Sequence, residues 1–188
     1  PFYWPVPPYL MSQIVACTVP ARRGTWALPT KYDNVRRFES KAYLTLNKLE
    51  IMERFNASPQ PCIITLGNGR MIDAQPENFR ITIEFTSTDE HCHSGRIVQG
   101  GFVAGMLDNA MSVAAMCSAD FEEAPATLEL KTTYIKSASQ GINRASGWVV
   151  KRGRDVVFLE GELRNADGDL LATATSTALM VNPLQKLA

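Results

Sequence analysis

The chain has 188 residues, with 19 basic and 19 acidic side chains, a length that supports one domain with a substantial core. The balanced charge leaves no electrostatic footprint for nucleic acid and no polybasic patch for a membrane surface. Four widely spaced cysteines, Cys17, Cys62, Cys92 and Cys117, form no C-x-x-C pair, which argues against a zinc site or a disulfide framework and points to a reducing compartment.

Residues 1–34 read as an N-terminal proline-rich arm. They carry six of the eleven prolines, together with Phe2, Tyr3, Trp4 and Trp26, and show no period. Such a stretch is expected either to pack its aromatics on a neighbour or to be partly disordered. Its first basic residues, Arg22 and Arg23, follow the apolar opening rather than precede it, so no secretory signal is read and the expected location is cytoplasmic. Residues 35–60 form the next unit, an N-terminal helix. Phe38, Ala42, Leu46, Leu49, Met52 and Phe55 recur at three and four, Asp33 or Asn34 can cap the start, and Asn56 with Pro59 ends it. Nothing on this helix carries chemistry, and a covering role is expected.

Residues 61–188 form the third unit, where the period shifts toward strand. Ile63-Ile64-Thr65-Leu66 is a short apolar run, Gly67-Asn68-Gly69 a turn, 70–74 a strand, and Pro76-Glu77-Asn78 a second turn. The alternation over 79–85 predicts a strand with one buried face.

Residues 95–117 organise the rest. Val103, Met106, Leu107, Ala110, Met111, Val113, Ala114 and Cys117 leave almost no polar face, which predicts a helix covered on nearly all sides. A membrane span is excluded by Asp108 and Asn109 in its middle and by glycines in its first half. An ionised carboxylate among apolar neighbours is costly unless paired, which makes Asp108 either a site candidate or a group at a wet interface. Gly100-Gly101 opens the helix, where the first N–H groups lack intrahelical partners and would suit a developing oxyanion. The pair can equally mark a tight strand-to-helix turn.

Four more strands are predicted at about 127–137, 145–151, 156–164 and 170–181, with Gly153 and Asp167-Gly168 turning between the last three. Ala172, Ala174, Ser176 and Ala178 alternate along the last strand and would let a helix lie close to the sheet. The pattern is α+β, an antiparallel sheet wrapped around a long central helix.

From about residue 63 to 181 the sequence resembles the hotdog-fold acyl-CoA thioesterases of the phenylacetate-pathway (PaaI-like) type. The resemblance rests on Gly95-Arg96-Ile97-Val98-Gln99-Gly100-Gly101, then Met106-Leu107-Asp108-Asn109, with the acidic residue eight positions after the first of the paired glycines. It implies a hotdog fold and hydrolysis of an acyl- or aryl-CoA, coenzyme A being part of the substrate and no other cofactor being needed. Asp108 is implied as general base or nucleophile, and the Gly100 N–H as oxyanion donor. Gln99 stands where many relatives have histidine, and it can donate a hydrogen bond but cannot act as acid or base. His93 takes the place of a loop asparagine, and Thr127 matches a Ser/Thr position that can hold the attacking water. Gly101 and Asn109 are implied neighbours of the substrate. A homodimer, or a homotetramer built from it, is also implied, with Asp108 of one subunit facing Gly100 of the other.

Two other classes stay open. A non-catalytic acyl-CoA sensor would have no need of Asp108, and hydration of an enoyl-CoA would need a base where Gln99 stands. His91 and His93 make a His-x-His pair that could in principle hold zinc, but no third ligand cluster accompanies it, so no metal is expected. Lys151, Arg152 and Arg154 gather at a hairpin, with Arg96 in the loop before the helix. They are either contacts for the phosphates of coenzyme A or a solvated surface. Trp148 and Phe158 are expected in the core, and Met106, Met111 and Met116 either in the core or lining an adaptable pocket.

Overall fold

The structure, a computed structural model, describes residues 46–58 and 60–182. The expected arm and the first turns of the expected 35–60 helix, with the candidate caps Asp33 and Asn34, lie outside the described residues.

Within them the first helix is α1, Lys48–Ala57. It begins at a capping box. The Asn47 side chain accepts from the N–H groups of Leu49 and Glu50 at 3.0 and 3.2 Å, and the Glu50 carboxylate accepts from the Asn47 N–H at 2.7 Å. The three-four period read from sequence therefore runs through a cap at Asn47, one residue after its Leu46 position. At the other end Asn56 is helical rather than terminal, and its side-chain amide exchanges two hydrogen bonds with the Met71 backbone.

The apolar run after Pro61 is not a strand. Cys62–Leu66 is a short helix, α2, in which the N–H groups of Ile64 and Thr65 bond back to the Pro61 carbonyl. Strand β1 (Arg70–Gln75) follows, and a 3₁₀ turn at Pro76–Asn78 ends at Phe79 with φ +51°, so that β2 (Arg80–Ser87) starts one residue later than the alternation suggests. A second 3₁₀ turn, Asp89–His91, leads to the small hairpin β3 (Cys92–Ser94) and β4 (Ile97–Val98), too short for sequence period to register.

Helix α3 is Gly100–Cys117. Four long antiparallel strands complete the chain, β5 (Ala124–Tyr134), β6 (Gly141–Arg152), β7 (Val156–Asn165) and β8 (Leu170–Val181), in a six-stranded sheet of order β1-β2-β6-β7-β8-β5. The sheet wraps α3, with Ile81, Ile83, Phe85, Leu159, Leu163 and the small residues Ala172, Ala174, Ser176 and Ala178 buried against it. No helix among the described residues is long and apolar enough to cross a membrane.

The helix seat is made by two glycines. Gly147 and Gly161 are register partners on β6 and β7, both buried, and a Cβ at Gly147 would stand 2.4 Å from the Met111 backbone nitrogen. The α3 backbone thus rests directly on the sheet. The same alternation turns Trp148 and Phe158 to the opposite face, contrary to the expectation that they are core. Trp148 is half-buried with the Arg80 guanidinium 4.4 Å from its ring centroid, and Phe158 is exposed. Met106 and Met111 are core, as one of the two readings has it.

Because the atoms facing Gly147 are main chain and cannot swing aside, Gly147→Ala should destabilise the fold by about 3 kcal/mol. Urea unfolding checks this, and a loss below about 1 kcal/mol would contradict the close seating.

Candidate active site

Helix α3 starts at Gln99, which has extended backbone (φ −60°, ψ 135°) and gives no side-chain cap. The Gln99 carbonyl accepts from the N–H groups of Phe102 and Val103 at 2.9 and 3.3 Å. Gly100 and Gly101 occupy the first two helical positions, where no intrahelical acceptor exists, and among the described residues no backbone acceptor elsewhere takes their N–H groups. Two free donors therefore stand at the positive end of the helix dipole.

Their position is fixed from two sides. The Gln99 N–H donates to the His91 carbonyl at 2.8 Å, and the Val98 N–H to the Ala138 carbonyl at 2.9 Å. His91 is buried, and its ring joins three segments: Nδ1 accepts from the Thr88 N–H at 2.8 Å, Nε2 lies 2.6 Å from the Leu66 carbonyl, and the ring meets Phe102 edge to face. This pattern requires a neutral ring with its proton on Nε2, and it leaves no nitrogen for a metal. A cleft of about 310 Å³ opens beside Gly100, lined by His93, Ile97, Tyr134, Ile135 and Lys136 among others. The Tyr134 hydroxyl donates to the Gly100 carbonyl at 2.8 Å.

Two turns further along, Asp108 is half-buried and faces β5, where the Thr127 hydroxyl donates to Asp108 Oδ1 at 3.0 Å. One carboxylate oxygen is thus held and the other left available. Asn109 beside it is buried, with no hydrogen-bond partner for Oδ1. The eight-residue step from Gly100 to Asp108 is a rise of about 12 Å. Within one chain the free N–H groups and the carboxylate cannot meet at a single carbonyl.

The sequence model of the thioesterase superfamily matches residues 95–172, from the loop before α3 into β8. A candidate thioesterase of Ralstonia eutropha JMP134, described as phenylacetic acid degradation-related, is 26% identical, with a TM-score of 0.63 over 69% of this chain and 98% of that one. The chain has the hotdog fold, and its residues 95–172 resemble the thioesterase superfamily. A protein of Saccharolobus solfataricus described as a candidate esterase is 29% identical over 98 residues, 52% of this chain and 69% of its own length. The hotdog fold is shared, at 18% identity and a TM-score of 0.55 over 61% of this chain and 90% of that one, by a Streptococcus mutans UA159 protein whose structure holds acetyl-CoA. The family-model match and the Ralstonia eutropha structure support thioester hydrolysis in general terms.

Of the residues singled out from sequence, the structure groups His93, Gly100 and Gly101 at one end of α3, and Asp108, Asn109 and Thr127 at its middle. The Gln99 side chain is exposed and makes no cap bond. The basic residues do not gather. Arg152 turns inward to Ser118 Oγ (3.0 Å) and Glu123 (2.5 Å) at the far end of α3, roughly 27 Å from Gly100. Arg154 pairs with its neighbour Asp155 on the surface, and Arg96 bonds Gln140 beside the β3–β4 hairpin. Burial pushes the Cys117 thiol up to about 12, which removes it as a nucleophile.

Tyr134 and Lys136 escaped the sequence reading. Thr127 and Tyr134 are seven residues apart, an odd step that puts them on opposite faces of a regular strand. A register shift between Thr127 and Glu129 brings both to the helix side. A Cβ at Gly100 would stand 3.2 Å from the Tyr134 hydroxyl, whereas one at Gly101 meets nothing within 4 Å. Gly101→Ala should therefore stabilise the hotdog domain by about 0.5–1 kcal/mol in chemical denaturation, and Gly100→Ala should bring no such gain. Equal gains at both positions would contradict the Tyr134 contact.

Proposed function

We propose that this chain hydrolyses acyl-CoA thioesters at a site completed by two copies of the chain. The observation that carries the reading is the pairing of two free N–H donors at an apolar helix start with a carboxylate on the same helix, about 12 Å away. A thioester carbonyl bound at the Gly100 N–H of one subunit, with the Gly101 N–H beside it, would have its developing oxyanion stabilised by fixed dipoles. Asp108 of the other subunit supplies the second half of the chemistry.

Asp108 either takes a proton from water as the water attacks, or attacks the carbonyl itself to give an anhydride that water then opens. In both routes a C–O bond forms and the C–S bond breaks. The water's oxygen ends in the acid, and its proton reaches the departing thiolate sulfur. Thr127 orients the carboxylate through its hydrogen bond, leaving the second oxygen for the reaction. His93, exposed in the cleft beside Gly100, and Gln99 are proposed as polar groups near the entering thioester. Arg96, also exposed next to this cleft, is the proposed phosphate contact among the three candidate arginines, and Arg154 is the next in line.

A second copy is supported by the sheet edge. Among the described residues β5 ends the sheet and pairs only with β8, and it exposes Thr127 and Leu128 beside Asp108. An unpaired edge of this kind is a template for another strand. The homodimer proposed here forms across it, and a homotetramer would add contacts elsewhere.

Asp108→Asn keeps the side chain's size and removes its charge and basicity. Thiol release from a panel of aliphatic and aryl acyl-CoAs should show kcat falling at least ~100-fold with KM changed only a few-fold. A folded variant that retains wild-type turnover would move the chemistry off Asp108. Binding of acyl-CoA without turnover by the wild type would favour a sensor.

A further inference from the structure

Of the chain's two histidines, His93 is exposed in the cleft, whereas His91 is only 3% exposed and takes no part in the reaction written above. His91 touches both residues that flank the paired donors. Its carbonyl accepts from the N–H of Gln99, the residue before Gly100, and its ring meets that of Phe102, the residue after Gly101, with centroids 4.9 Å apart. The backbone of two successive glycines resists displacement poorly, so its place depends on what holds its flanks. The ring is anchored in turn. Its Nε2–H donates to the Leu66 carbonyl at the end of α2, and α2 rests on α3, where a Cβ at Gly105 would stand 3.0 Å from Ile63. Leu66, Thr88 and His91 all precede residue 95, where the stretch resembling the thioesterase superfamily begins.

The bonds at Nδ1 suit the neutral ring alone. Thr88 and His91 form a capping box, in which the third residue of the turn accepts from the N–H of the cap, here at 2.8 Å. A proton on Nδ1 would set N–H against N–H. The Thr88 hydroxyl, 3.0 Å away, could accept from the new donor, but the Thr88 N–H would then lose its acceptor inside the protein.

No counter-charge faces the ring. On α2 the sole titratable residue is Cys62, four residues before Leu66, and α3 has none before Asp108, two turns from the helix start. From β3, the Cys92 thiol donates to the Thr88 carbonyl and His93 is exposed. Arg96, in the β3–β4 turn, is held by Gln140. On the ring's own turn Asp89 accepts from the Gln140 amide, and Glu90 is exposed. A buried imidazolium without a carboxylate is costly, and moving the segment away from Thr88 relieves it.

We infer that His91 is a positioning residue whose neutral ring holds the Gly100 and Gly101 N–H groups in place, and that proton uptake at its Nδ1 displaces them. The inference rests on the hydrolytic reading for what the donors do, but not for their displacement. Fixed dipoles act on charge that develops during the reaction, so their loss at low pH lowers kcat more than it changes KM.

The test follows glycine amide resonances of the full chain, labelled with nitrogen-15 glycine, as the pH is lowered from about 8 to about 5, the interval in which an imidazole ordinarily changes charge. His93→Gln and Asp108→Asn are both introduced, so that His91 is the only histidine and the carboxylate proposed to face Gly100 is gone. The Gly100 and Gly101 amides should move in step with the His91 ring resonances, while that of Gly161, inside the sheet, stays in place. Adding His91→Gln, which keeps an acceptor for the Thr88 N–H and takes up no proton, should abolish the movement. Thiol release is the second readout. In His93→Gln alone, kcat should fall ~10-fold or more over the same interval with KM changed by less than about threefold, and adding His91→Gln should flatten that fall. Glycine amides that stay fixed while the ring titrates, or a ring that stays neutral throughout, would overturn the inference and leave the hydrolytic reading standing. Coupled movement of ring and amides with no thiol release from any acyl-CoA would support the positioning role and overturn the hydrolytic reading.

Discussion

The backbone of α3 at Ala110–Met111 lies on Gly147 so closely that no side chain fits between helix and sheet, and Gly161 beside it gives the Met111 side chain its room. The rest of the molecule follows from that contact. Strands β6, β7 and β8 present glycine, alanine and serine to the helix, so the apolar residues of α3 are buried on nearly every side. A helix held at that depth has little freedom to shift. Its first N–H groups and its one carboxylate are therefore fixed relative to each other by the helix rise alone.

That rigidity gives the proposed site its logic. The N-terminal donors are braced by the chain before them, through the His91 carbonyl and the neutral His91 ring linking Thr88, Leu66 and Phe102. The carboxylate is braced by Thr127 on the edge strand. Each half is preorganised, yet they stand too far apart within one chain to act on one carbonyl. In the proposed reaction a second copy brings the two halves together, and the edge of β5 beside Asp108, unpaired among the described residues, is the surface proposed to receive it.

Much of this was legible in the sequence because it rests on period and composition. The apolar run of α3, the Gly100-Gly101 break and Asp108 could be read directly, as could the alternation along β2 and β8. What failed, failed for local reasons. Asn47 can cap a helix or continue one, so the start of α1 could not be placed from spacing. Five residues after a proline fit strand or helix equally, which hid α2. The inward positions of Gly147 and Gly161 decide that Trp148 and Phe158 face outward, but a glycine within a strand pattern does not announce which face it lies on. Tyr134 was hidden by a bulge. The basic cluster read at the β6–β7 hairpin dissolves because Arg152 has a nearer carboxylate in Glu123.

The central claim is that one active site takes Asp108 from one chain and the Gly100 N–H from another. Subunit complementation tests it most directly. Gly100→Pro removes the donor at a first-turn position that tolerates proline, with Gln99 already in the extended conformation that a following proline requires. This variant and Asp108→Asn, each inactive alone, would be unfolded together and refolded as a mixture. Random pairing should restore roughly a quarter of wild-type specific activity, since half of the dimers then hold one intact site of two. Mixed dimers that form yet show no activity above the parents would contradict the two-chain site.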